Sequence, residues 1–427
     1  MWLRSFGIVL FTCLLLFGQN AYRQVDRSHD RAGKSASINP ILFRAYPVAL
    51  GENQYKLYLM ADIMYDYLQF TLRNAGYTAN FRIQVDLVNE KSNAVYSRTW
   101  ESTLLISDFE KTNSREDFFL TTDSISLPAG NYHLKLIYQD LQGDQHRQYA
   151  LKILLPERRN FYASPPVFCD SSQNRQNYPS LFQDRPLVLR EDVIFNKALS
   201  VFLNIFADSS SSVNVKFNIS REESAEALFR ADTALAVENR NVRISLYPPF
   251  LKWDEGDYLI SILYRAGRDS LWQKLPFHIT WFNKPRSIRD IEYALKPIQL
   301  IVPEDFYKKL TKGNKQEQQN AFRAFWKEKD PTPATAFNEV EAEFYSRVDT
   351  ADMRWGKKGR NGWRTDPGKI YVIYGKPSQI EDLSLSPVNP YMKWTYNLPD
   401  QQLRFTFRAL DGRKRYRLID NQEEPTP

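Results

Sequence analysis

The residues that could do chemistry lie in the last third of the chain. Glu339 and Glu343 stand four apart, with Arg347 four beyond, a spacing that puts all three on one face of a helix. With Asp330 and Asp366 they make a set of carboxylates of the kind glycoside hydrolases use in pairs, one as acid and one as base or nucleophile. The plainer reading of the same residues, a Glu343–Arg347 surface pair with aspartates capping turns, is the preferred one. Residues 284–427 contain no His and no Cys, which excludes Ser-His-Asp and Cys-His nucleophiles and Cys/His zinc sites from that region. His29, His133, His146 and His278 are scattered without ligand spacing, so no metal site is expected. No glycine-rich loop opens a helix as in a nucleotide site, and no cofactor is expected.

Charge is the second chemistry. The run Arg354, Lys357, Lys358, Arg360, Arg364 and Lys369 holds only Asp366 as counter-charge, and Arg413, Lys414, Arg415 and Arg417 follow downstream. The whole chain carries +7 with a pI near 9.1. A solvated face is one reading. The other is an anion-binding face for an acidic glycan, a lipid headgroup or an acidic envelope protein. Aromatic residues interleave with these cations as they do in nucleic-acid binders. The export signal described below argues against a nucleic-acid partner.

The elements that must position these groups change character along the chain. From 39 to 156, segments such as 54–63, 79–89, 94–101, 115–127, 131–140 and 148–155 alternate near period two between Asn, Asp, Gly and Pro punctuation. From 161 to 283 the pattern recurs over 199–208, 213–222, 242–250, 257–266 and 274–282. Both blocks contain Gly-x-Tyr opening an alternating strand, at Gly130/Tyr132 and Gly256/Tyr258, consistent with a duplication or with ordinary hairpins. The expected fold is mainly β: two tandem antiparallel β-sandwich domains, then an α+β region over 285–420 and a fraying tail over 421–427. In that region helices are expected over 286–298, 303–312, 314–330 and 337–355, and strands over 369–375, 391–397, 402–412 and 415–420.

Gly362, Trp363, Arg364, Thr365 and Asp366 precede Pro367-Gly368 and then an apolar run. Asp366-Pro367-Gly368-Lys369 has the composition of a type II turn, with the Asp366 carboxylate taking N–H groups of its own loop and Thr365 clipping the backbone. Trp363 is expected as a buried anchor, and the run from Ile370 to Tyr374 as a strand covered on both faces.

Here the sequence resembles the bacterial GWxTD domain family. Gly362, Trp363, Thr365 and Asp366 match the motif, and Tyr374, Gly375 and Pro377 match the Tyr-Gly-x-Pro that closes it. Upstream, Phe325, Trp326, Asp330 to Pro333, Asn338, Glu339, Glu343, Phe344, Tyr345, Arg347 and Val348 match further family positions in order. The resemblance covers about 285–420. It implies a domain without implying an activity.

The N-terminus has the pattern of an export signal over 1–21: Arg4, an apolar run over 6–17 too short to span a bilayer, and Ala21 at a cleavage position with Gln19 at −3. Retention as an anchor and lipidation at Cys13 are the alternatives. A polar spacer over 22–38 follows, and no other segment reaches membrane-span length. Cys169 would then be the one cysteine of the mature chain, so the fold must stand without an internal disulfide. The expected protein is exported, periplasmic or outer-surface associated, with a non-catalytic binding or assembly role; the alternative is an envelope polysaccharide hydrolase acting through Asp/Glu.

Overall fold

The computed structural model describes residues 40–425, apart from 74, 115–116, 144, 158–160, 172–177, 189–191, 209–211, 225, 282, 387, 389 and 411–414. The signal and spacer expected over 1–38 lie outside the described residues. The protein is mainly β, with antiparallel sheets throughout and its longer helices near the C-terminus. Its backbone divides into two compact units, one formed by residues up to 193 with 197–249 and 256–279, the other by 194–196, 250–255 and 280–427.

Among its described residues the first unit contains four sheets. The first sheet pairs strands Ile41–Gly51, Gln54–Met64 and Phe118–Pro128. The second is built around Gly76–Asn89, which pairs with Thr71–Arg73, Val95–Ile106 and Gly130–Asp140; His146–Leu155 pairs in turn with Gly130–Asp140. Strict alternation along Gly76–Asn89 sends Phe81, Ile83, Val85 and Leu87 into one core with Leu57, Leu59, Ala61 and Ile63 of the first sheet. The third sheet centres on Leu199–Ala207 and includes Val167–Asp170 and Asn241–Leu246. The fourth centres on Gly256–Ala266, between Ser212–Arg221 and Asp269–Thr280. Tyr132 and Tyr258 of the repeated Gly-x-Tyr signature are both fully buried.

The boundary expected at 156–161 does not separate two bodies. Strand Ile41–Gly51 is buried on both faces: Ile41, Phe43 and Ala45 enter the first core, while Tyr46 and Val48 pack with Val167, Cys169, Phe182 and Phe202. All nine residues of Leu199–Ala207 are buried too. A strand apolar on both faces needs cover on both, so the first and third sheets close on each other and the two sandwiches become one unit. Polar groups tie this seam. The Arg44 guanidinium donates to the carbonyls of Leu187 and Pro166, both at 3.1 Å, and Arg185 pairs with Asp62 at 2.7 Å. Ser164 Oγ donates to Pro47 O at 2.7 Å.

Among its described residues the second unit carries five α-helices: α1 (Ile291–Ile298), α2 (Glu304–Leu310), α3 (Lys315–Glu328), α4 (Glu339–Trp355) and α5 (Asp366–Tyr374). Local signals start them. Asp290 accepts from Glu292 N, Asn314 and Glu317 form a capping box, and Asn338 accepts from Val340 N and Glu341 N. A four-stranded meander follows: Gln379–Leu383, Tyr391–Asn397, Gln401–Ala409 and Tyr416–Pro425. Phe322, Phe325 and Trp326 of α3, Phe344, Tyr345 and Val348 of α4, and Trp394, Phe405 and Phe407 of the sheet share one aromatic core.

Two expectations fail here. Residues 369–375 are not a strand behind a type II turn: 369–374 are most of α5 and Gly375 caps it. Thr365 Oγ1 accepts from Gly368 N at 3.1 Å, and Pro367 sits in the first turn, where its missing N–H leaves no bond unmade. The tail does not fray from 421: strand Tyr416–Pro425 stays paired with Gln401–Ala409 as far as Pro425, because the ladder continues beyond the expected end.

Candidate functional site

The stretch from Gly362 to Gly368 is a compact knot of backbone. Gly362–Arg364 make one 3-10 turn that Thr365 closes, and Thr365 then opens α5. Its hydroxyl donates to Gly362 O at 2.6 Å while accepting from Gly368 N, so one side chain serves both elements. Two glycines permit the close approach. A Cβ on Gly362 would lie 2.0 Å from Ala351 O of α4, and a Cβ on Gly368 would lie 1.9 Å from Gly362 O. Trp363 is 1% exposed and packs in the core that holds Phe344 and Val348. Its backbone N–H donates to Asp352 Oδ1 at 3.2 Å, and the other oxygen of Asp352 accepts from the Tyr293 hydroxyl. Burial, and then the Asp352 carboxylate, push that phenol well above its ordinary range.

Asp366 does not bond its own loop as expected. Its Oδ2 accepts from Leu418 N at 2.9 Å, which ties the start of α5 to the last strand. Arg364 stays exposed, with its guanidinium 5.0 Å above the Trp363 ring.

The other motif residues fall into four groups. Asp330 Oδ1 accepts from Thr332 N at 2.8 Å, and the Thr332 hydroxyl donates to Glu339 Oε2 at 2.7 Å, so these two carboxylates meet at one threonine. Asn338 caps α4 and donates Nδ2 to Trp326 O at 2.7 Å, which joins the end of α3 to the start of α4. Glu343 pairs with Arg347 at 2.7 Å, and Arg347 Nη1 donates to Ile373 O at 3.1 Å, covering a terminal carbonyl of α5. Tyr374 packs on Tyr396 and Phe405, each with 5.5 Å between ring centroids, while Tyr396 donates to Gly375 O at 2.9 Å. Glu339 is bonded to the loop at Thr332 and Glu343 to Arg347, so the two glutamates on one helical face serve different partners.

One carboxyl was not singled out from the sequence. Glu341 of α4 is pushed up to about 7, chiefly by burial; Lys284 opposes the shift and Asp330 adds to it. Its signal was the spacing Asn338-x-x-Glu341, which is that of a capping box. Among the described residues no group of three His, Cys, Asp or Glu has metal-holding geometry. A depression of about 420 Å³ on the first unit is lined by Ser102, Thr103, Phe119 to Thr122, Tyr178 and Pro179, with no carboxylate among them. Arg413 and Lys414 of the second basic cluster lie outside the described residues; Arg415 and Arg417 are exposed.

Residues 264–425 match the model of the GWxTD domain. The C-terminal region is a GWxTD domain. The match opens within strand Gly256–Ala266, upstream of the boundary expected at 285, and closes at the last residue of the final strand. The motif for which the GWxTD domain is named is thus the knot between α4 and α5. No curated protein matches the chain. Solved structures similar to it include CBD12 from CALX1.2, at 8% identity over 51% of this chain and 77% of that one, with a TM-score of 0.14. The chicken interferon gamma receptor alpha chain is similar at 11% identity over 55% of this chain and 98% of that one, TM-score 0.15. The calcium binding domain CBD12 of CALX1.1 is similar at 7% identity over 63% and 87%, TM-score 0.14. At these scores the likenesses carry no argument about fold or ligand.

Proposed function

We propose that this is an exported bacterial cell-envelope protein with a non-catalytic binding or assembly role, its β-sheets acting as interaction modules and its GWxTD domain as the specific part. The observation that carries the reading is the use made of the motif. Trp363 fills the core, Thr365 joins two helical elements, Asp366 holds the last strand and Arg347 covers the end of α5. Side chains committed in this way build a scaffold for a surface. Export is supported by Arg4 and the apolar run over 6–17.

A second reading, an envelope polysaccharide hydrolase, draws on one observation. Glu341 holds its proton to about pH 7 in the neighbourhood of Asp330, and a carboxyl that stays protonated near neutrality is what a general acid needs. One experiment separates the two. Cells are fractionated, the purified protein is incubated with envelope polysaccharide, and new reducing ends are counted for wild type and Glu341→Gln. The binding role expects the protein outside the cytoplasm and no reducing ends from either form. Release that Glu341→Gln abolishes would establish the hydrolase instead, and a cytosolic protein with an intact N-terminus would overturn export.

A further inference from the structure

The cations that precede the motif are gathered at one projecting point. After α4 the chain reverses within four residues: Lys357 N–H donates to Arg360 O at 3.0 Å, and Arg360 N–H to Lys357 O at 2.9 Å. Gly359 permits the reversal with φ +82°, and a Cβ built on it would have no heavy atom within 4 Å. The tip therefore stands clear of the protein. Lys357, Lys358, Gly359 and Arg360 are all exposed.

We propose that this turn of the GWxTD domain is a docking point for anionic lipid headgroups at a membrane surface. The inference rests on the envelope binding role and names the partner. Four features support it. First, the ion pairs of the domain include Lys284–Glu255, Lys308–Glu304, Arg347–Glu343 and Lys393–Glu381, and among the described residues Arg354, Lys358, Arg360 and Arg364 join none. Second, the two flanking guanidiniums rest on aromatic faces, Arg354 at 5.5 Å from the Tyr371 ring and Arg364 at 5.0 Å from the Trp363 ring. A stacked guanidinium keeps its edge N–H groups for an oxyanion, and the buried ring beneath fixes where they stand. Third, Met353, in the last turn of α4 just before the cationic reversal, is 77% exposed, which leaves a flexible apolar side chain to solvent close in the chain to the cations; an apolar and a basic group together suit the boundary between headgroups and acyl chains. Fourth, the tip is convex. A glycan chain is held in a groove lined by donors and rings, whereas a bare turn tipped with cations meets a flat, negatively charged sheet. The negative end of α4 accounts for a cation close to the helix, but Lys358 and Arg360 lie beyond its last turn.

The test is partition of the full chain onto vesicles of pure phosphatidylcholine and onto vesicles with one third phosphatidylglycerol, compared as a ratio. The apolar N-terminal run does not depend on headgroup charge and so drops out of that ratio. Wild type should favour the anionic vesicles, and less so at high salt. K358Q/R360Q should lower the ratio roughly 25-fold, since each basic residue near an anionic surface contributes about a factor of five. K358R/R360K should restore it. K216Q/K274Q, which removes two exposed lysines from the first unit, should change it less than twofold. The proposal is overturned if K358Q/R360Q partitions like wild type, or if K216Q/K274Q loses as much. It is also overturned if the turn is needed for binding soluble polygalacturonate while the vesicles are ignored. Fractionation decides export separately, so failure on vesicles leaves the broader reading standing.

Discussion

The seam inside the first unit and the knot at Gly362–Gly368 solve the same problem with opposite materials. Each must bring two backbone layers together in one register. In the seam, where Tyr46, Val48 and Phe202 pack, Arg44, Arg185 and Ser164 donate across the junction, Asp62 accepts from Arg185, and Asn204 Nδ2 donates to Ser164 Oγ. Two apolar sheet faces can slide, and directional bonds between them fix one alignment. Among the described residues the knot has no ion pair. Its register comes from shape, because two glycines let carbonyl oxygens approach where any Cβ would collide. The seam should thus tolerate a change of chemistry that keeps volume, and the knot should tolerate almost no change of volume.

The largest expected effect is in the knot. Trp363→Ala removes a side chain that is 1% exposed and should cost about 3–5 kcal/mol, with a transition in a thermal melt that separates the C-terminal unit from the sheets. If the unit melts unchanged, the tryptophan does not anchor it. Next comes the seam. Asp62→Ala leaves Arg185 without its carboxylate and should cost about 3–5 kcal/mol, whereas Asp62→Leu with Arg185→Met should stay within about 1 kcal/mol of wild type. Urea titration of both variants checks this; equal losses would mean that the ionic pair itself is required.

The third test uses pH. The folded pKa of Glu341 is raised from 4.5 to about 7, so the fold favours the protonated form. Its contribution is fully present below about pH 4.5 and is lost as pH rises through about 7. The difference should be roughly 1–3 kcal/mol, allowing for partial solvent access. Subtracting the Glu341→Gln stability curve from that of wild type should isolate this slope; parallel curves would assign the pH dependence to other groups. The smallest effects fall at the edge of the knot. Asp366→Ala should cost about 1–2 kcal/mol through the lost bond to Leu418, and Arg364→Ala less than about 1 kcal/mol, because its exposed guanidinium adds to the fold only a contact over the buried Trp363 ring. A larger loss for Arg364 than for Asp366 would invert the assignment of structural and surface roles.

Strands with one wet face were legible in the sequence because alternation marks them, as along Gly76–Asn89 and Gly130–Asp140. Strand Ile41–Gly51 was not, because burial on both faces erases the period. The helix Asp366–Tyr374 shows the other limit. Its short apolar run fits a strand as well as a helix, and the deciding signal lay outside the run, in Thr365 with Gly368 three later and Pro367 between them. In the candidate site the burial of Trp363 and the clip made by Thr365 followed from residue type. The partner of Asp366 did not, since Leu418 is distant in the chain and only the folded sheet brings it near. The raised pKa of Glu341 was not legible because it comes from burial in the folded chain, while its spacing from Asn338 signals only a helix start.

Cys169 gives the seam a built-in clock. Its side chain is 1% exposed between the two sheets, and burial, then Asp184, push the thiol far above its ordinary range. A thiol reagent can therefore reach it only in molecules whose seam has momentarily parted. In a chain carrying Cys13→Ser, the labelling rate of the native protein reads how often the two sandwiches let go of each other, and the same rate measured in Asp62→Leu/Arg185→Met reads how much of that waiting time the polar ties supply.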